Sequence, residues 1–169
     1  MLPGLSGLSL MRLLFLGSLA AILTALAFEH FGGFAPCPLC LTERVAYYAA
    51  VTGSLIAMLM YQAGRRGMAS MLLVAIAIGF LINTGLGVYH SGIEWKWWPG
   101  PATCSGAAAV TTDAGSLLDK LNTMHVVRCD EAPFRMLFLS FAGWSALLSL
   151  ALAVVAGLAA LRTGRMAAA

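Results

Sequence analysis

Four long apolar runs decide most of what this chain can become. They cover about 13–28, 45–61, 68–89 and 136–161 of its 169 residues. At about 1.5 Å per residue, the two longer runs cross a hydrocarbon core about 30 Å thick with ease. The two shorter runs are marginal, so they stand nearly upright or extend past these limits. Spans in lipid must be helices, because no water is there to satisfy free backbone groups. Short links make neighbours antiparallel, so the expected fold is all-α: a four-helix membrane bundle forming one domain over residues 1–169. Only 10% of residues are charged and mean hydropathy is +0.87, where a soluble domain carries roughly a quarter charged residues. A net charge of +3 is too small to argue for a nucleic-acid partner. Gly53, Ser54, Gly79, Gly85, Gly87, Gly143 and Ser145 fall inside the runs, where small residues are expected to let helices approach.

An even number of spans puts both termini and the 62–67 loop on one side, and segments 29–44 and 90–135 on the other. Arg12, Arg65, Arg66, Arg162 and Arg165 lie on the first side; Arg44, Lys96, Lys120, Arg128 and Arg135 lie on the second. The tie is broken by density, because Arg65 and Arg66 share a very short loop. All seven acids fall on the second side, but acids weigh little in this rule. The termini are therefore expected in the cytoplasm and the second side outside it. The Ala25-Leu26-Ala27 stretch after an apolar run also has the form of a signal-peptide cleavage site. A retained first helix is preferred, since cleavage would remove a wall of the bundle.

All four cysteines, Cys37, Cys40, Cys104 and Cys129, fall on the second side, where disulfides persist. Two of them stand in "FAPCPLCLTER", residues 34–44. Pro38 suits the first turn of a helix. A helix starting there is capped by Cys37 and carries Cys40 and then Arg44 along one face. A helix N-terminus and a nearby arginine both favour the thiolate, the species that attacks disulfides. Arg44 at a lipid boundary is a functional candidate, or an anchor that reaches outward to the interface. Glu43 could position Arg44 or only mark the interface. In the second segment, Trp95, Trp97 and Trp98 suit the membrane–water interface. Leu117, Leu121 and Met124 suit either a short helix lying on the bilayer surface or an ordinary loop helix.

Several chemistries remain open at this point. Cys104 and Cys129 could close a structural disulfide or act as a second redox pair. Four thiolates could hold zinc, although only one pair is close in sequence. A c-type haem is excluded because Leu41, not histidine, follows Cys40; His30 and His90 could ligate a b-type haem. If the pairs carry electrons, no nucleotide fingerprint or P-loop is present to receive them. A lipid-soluble quinone is left by exclusion, with His90 a candidate proton or hydrogen-bond donor to it.

The combination resembles the bacterial disulfide bond formation protein B (DsbB) family. The residues that carry the resemblance are Cys37-Pro38-Leu39-Cys40 with Glu43-Arg44, then His90, Pro101-Ala102-Thr103-Cys104, and Cys129 before the fourth span. It implies a quinone-dependent oxidoreductase of the bacterial inner membrane, with its cysteines periplasmic. By this resemblance, Cys104 and Cys129 form the disulfide that oxidises a soluble thioredoxin-like partner of the DsbA type. Cys104 is the sulfur attacked; Cys129, once freed, attacks Cys37. Cys40 meets ubiquinone or menaquinone, held with the help of Arg44, His90 and Glu43. Vitamin K epoxide reductases also couple a C-x-x-C to quinone, but usually carry it late in the chain. A scaffold with structural disulfides or zinc is the non-enzymatic alternative.

Overall fold

The computed structural model describes residues 6–101, 128–132 and 134–168. Its long helices are α1 (Gly7–His30), α2 (Pro38–Gln62), α3 (Arg66–Glu94) and α4 (Phe141–Ala168), with a two-stranded hairpin, β1 (Arg135–Met136) and β2 (Leu139–Ser140), before α4. All four helices are long and apolar enough to cross a membrane. The protein is thus a four-span, all-α membrane protein. Each helix outlasts the apolar run that announced it. The first two runs are short because the helices continue through polar residues: Glu29 and His30 end α1, while Cys40, Glu43 and Arg44 lie in the opening turns of α2. A helix needs only backbone hydrogen bonds to continue, whereas an apolar run stops at the first charge.

The fourth run is corrected in the other direction. Residues 136–140 are hairpin, not helix. Met136 pairs with Leu139 and Arg135 with Ser140. The turn places Leu137 and Phe138 at φ 52° and 67°, the left-handed backbone that a tight two-residue hairpin requires. Helix α4 therefore starts at Phe141. Residues 102–127, with Cys104 and the Leu117–Leu121–Met124 pattern, lie outside the described residues.

Local chemistry sets the helix ends. Ser6 caps α1 by accepting from the Ser9 amide at 3.1 Å. Cys37 caps α2, with Pro38 in the first turn where a missing N–H is harmless. Gly64, at φ 76°, allows the tight reversal into α3. The helices form a ring: α1 packs on α2 and α4, α3 packs on α2 and most extensively on α4, and α2 and α4 barely meet.

Inside the ring lie Met11, Leu14, Ala50, Ala57, Leu73, Phe80 and Ala156, while large apolar side chains such as Leu16, Val45, Met71, Ile82 and Leu161 point outward. With apolar groups on both faces, burial alone cannot drive assembly in lipid. Close packing and interhelical hydrogen bonds must supply it. Tyr47 Oη lies 2.9 Å from Ser149 Oγ, and Asn83 Nδ2 donates to that same oxygen at 2.9 Å. Ser70 Oγ donates to the Ala160 carbonyl at 2.9 Å. At Gly87, a Cβ would stand 2.9 Å from that of Ala146. Gly79 and Gly85 do not share this role; space is open beside both.

Candidate redox site

Cys37, Cys40, Glu43 and Cys129 gather around His90 where the start of α2 lies against the end of α3. Cys37 Sγ accepts from the Cys40 amide at 3.2 Å, and the two Sγ atoms lie 2.8 Å apart, both as free thiols. The hydrogen bond from the Cys40 thiol is the main influence holding Cys37 below the usual thiol range, against its own burial. The expected help from Arg44 is absent. Its guanidinium is drawn to Glu29 at the end of α1, with Nη1 2.5 Å from Oε2. Two helix ends converge there, and the carboxylate is the stronger partner.

Glu43 is also corrected. It does not position Arg44; its Oε1 lies 2.8 Å from His90 Nδ1, tying α2 to α3. His90 is buried, only 2% exposed, and its Nε2 lies 3.6 Å from Cys37 Sγ. Cys129 is buried as well, engaged in a disulfide. Its Sγ, Cys37 Sγ and a ring nitrogen of His90 all lie within 4.8 Å of one another. Such spacing also suits a metal, but a sulfur already in a disulfide is no thiolate ligand. His30 takes no part; it is exposed and bonded to the Leu26 carbonyl of its own helix.

A cavity of about 720 Å³ opens beside the cluster. Its walls are mostly apolar and include Thr24 and Phe28 of α1, Cys40 and Arg44 of α2, and Trp144 and Leu148 of α4. Phe28, Phe34 and Phe134 surround Phe141 at ring-centre distances of 5.0 to 6.0 Å, and all four line the cavity. At the tryptophan turn after α3, Trp98 lies flat on Tyr89, with centroids 6.1 Å apart. Gly92 permits this, since any Cβ there would overlap the indole.

Two residues escaped the sequence reading. Glu29 is the ion-pair partner of Arg44, and Glu94 lines the cavity one turn after His90. The signal available was the placement of all seven acids on the cysteine side. Set aside as uninformative for orientation, it pointed to chemistry.

Fold and site together define a multi-pass membrane protein built around thiol–disulfide chemistry. The sequence matches the family described as disulfide bond formation protein DsbB over residues 8–159. The chain belongs to the DsbB family, whose members form disulfide bonds at membranes. It is also 27% identical over 145 residues to the uncharacterized protein RP370 of Rickettsia prowazekii (strain Madrid E), covering 83% of this chain and 80% of that one. No solved structure matches it.

Proposed function

We propose that the chain is a quinone-linked dithiol oxidase of the bacterial inner membrane, with its cysteine end in the periplasm. It reoxidises a thioredoxin-fold partner of the DsbA type. The observation that carries this reading is the cluster of Cys37, His90 and disulfide-bonded Cys129 within 4.8 Å, beside an apolar cavity. A free thiol pair next to a disulfide can exchange with it without any metal. Cys37 is the exchanging sulfur on the membrane side, because its pKa is lowered and it faces Cys129. His90 Nε2 takes or returns the Cys37 proton, and Glu43 fixes the ring. Cys104 is assigned the contact with the partner by family resemblance.

The cavity fits a lipid-soluble ring. Its volume lies in the range of small-molecule sites, its walls are apolar, and its charged lining includes Arg44 beside Cys40. Cys40 and Arg44 would hold ubiquinone or menaquinone there; when bound, the quinone supplies a two-electron acceptor. Arg44 offers positive charge and donors to its oxygens. The test is to mix purified protein with a reduced thioredoxin-fold dithiol and a quinone. Oxidation should require both Cys37 and quinone. Intact quinone-dependent oxidation in Cys37→Ser would refute the reading.

A further inference from the structure

One carboxylate at the site has no role in the exchange described above. Glu94 ends α3 one helical turn after His90 and is only 8% exposed. Its Oε2 is buried and has no hydrogen-bond partner. It lines the same cavity as Cys37, Cys40 and Glu43. The groups acting on it are His90 on its own helix, Glu43 on α2, and Arg135 and Ser140 on the hairpin.

We propose that Glu94 is the proton store of the thiol pair, receiving through His90 the proton that leaves Cys37. This deepens the preceding function and rests on it. Oxidation of the pair breaks two S–H bonds and forms the Cys37–Cys40 bond. Two electrons go to the bound quinone, whose reduction to quinol would take up two protons, matching the two that leave Cys37 and Cys40. Among the described residues, the basic group in reach of the Cys37 proton is His90 Nε2 at 3.6 Å. Glu43 is committed to the other ring nitrogen at 2.8 Å. It therefore orients the ring and does not receive the proton from Nε2. The ring can accept the next proton only after giving up this one. Glu94 Oε2 has free lone pairs and can take a proton without breaking any contact. Glu43 balances an imidazolium only while His90 keeps the proton; a second acceptor returns the ring to the neutral form that the next transfer needs.

The experiment has two readouts. In the first, without quinone, the thiol pair is cycled by a soluble dithiol and disulfide while infrared difference spectra are recorded. Wild type should show a carboxyl band that changes with the pair. Glu94→Gln should lose it, and Glu94→Asp should retain it at a shifted position. In the second, quinone-dependent kcat should fall about a hundredfold in Glu94→Gln, with the quinone KM unchanged and the pH profile altered. Glu94→Asp should recover part of the rate. An unchanged band in Glu94→Gln, or a wild-type kcat and pH profile, overturns the proposal. If Glu94→Gln does not fold, a band and rate in Glu94→Asp identical to wild type overturn it equally. Failure of wild type to oxidise dithiols with quinone would overturn the parent function instead; the infrared assignment needs no quinone.

Discussion

Glu43 and His90 meet across α2 and α3 at 2.8 Å, and the contact turns the opposite edge of the imidazole toward Cys37. A histidine with one nitrogen held by a carboxylate presents the other in a fixed direction. His90→Ala should lower quinone-dependent dithiol oxidation about a hundredfold. A wild-type rate in steady-state assays would remove His90 from proton transfer. Glu43→Ala should also cost about 1–3 kcal/mol of stability by stranding the buried ring nitrogen, read from thermal unfolding in detergent.

Cys37 should alkylate at lower pH than an ordinary thiol. Its pKa is lowered, chiefly by the Cys40 thiol. The thiolate therefore survives below the usual thiol range and disappears only as pH falls through the lowered value. Cys40→Ala removes the largest cause, so its pH–rate profile with iodoacetamide should move upward. A profile that does not move would show that Cys40 does not set this reactivity.

The Arg44–Glu29 pair should matter more for quinone than for folding. Both side chains keep part of their surface in solvent, at 15% and 27% exposure, so water can take over part of the lost partner's role. Glu29→Gln frees the guanidinium from its orientation. Quinone KM should rise about tenfold, equivalent to about 1.4 kcal/mol, with the melting temperature nearly unchanged. An unaltered KM would mean that Arg44 needs no such partner.

Two glycines on α3 should behave oppositely. Gly87→Val would drive methyls into Ala146 and the Ala142 carbonyl on α4, and overpacking of this kind costs about 1–3 kcal/mol. Gly85→Ala adds a methyl in open space and should be neutral or stabilising by up to about 1 kcal/mol. Equal melting temperatures for the two variants would contradict the helix contact described here.

The contrast between these residues separates what was legible from what was not. Hydropathy announced four helices, and Pro38 with Cys37 announced where α2 begins. It did not announce the hairpin at Arg135–Ser140, because Met136, Leu137, Phe138 and Leu139 read as apolar whether they enter a helix or a turn. The C-x-x-C spacing pointed to Cys37 and Cys40, and the family resemblance added Cys129. Arg44 stood out for its place in the opening turns of α2, but its partner Glu29 stands 15 residues earlier on another helix, and no local spacing names it.

Sequence by itself determined the number of spans and the kind of chemistry that the cysteines suit. Those properties are sums over local composition or spacing along one helix. Tertiary structure alone decided that Glu43 serves His90 rather than Arg44, that Glu29 holds Arg44, and that Glu94 keeps an unpartnered oxygen against the cavity. Each of these depends on how far one helix is rotated and slid against its neighbour. That rotation is set by contacts such as Gly87 on Ala146 and Tyr47 on Ser149. They join residues far apart in the chain, and the apolar pattern along any single helix is indifferent to them.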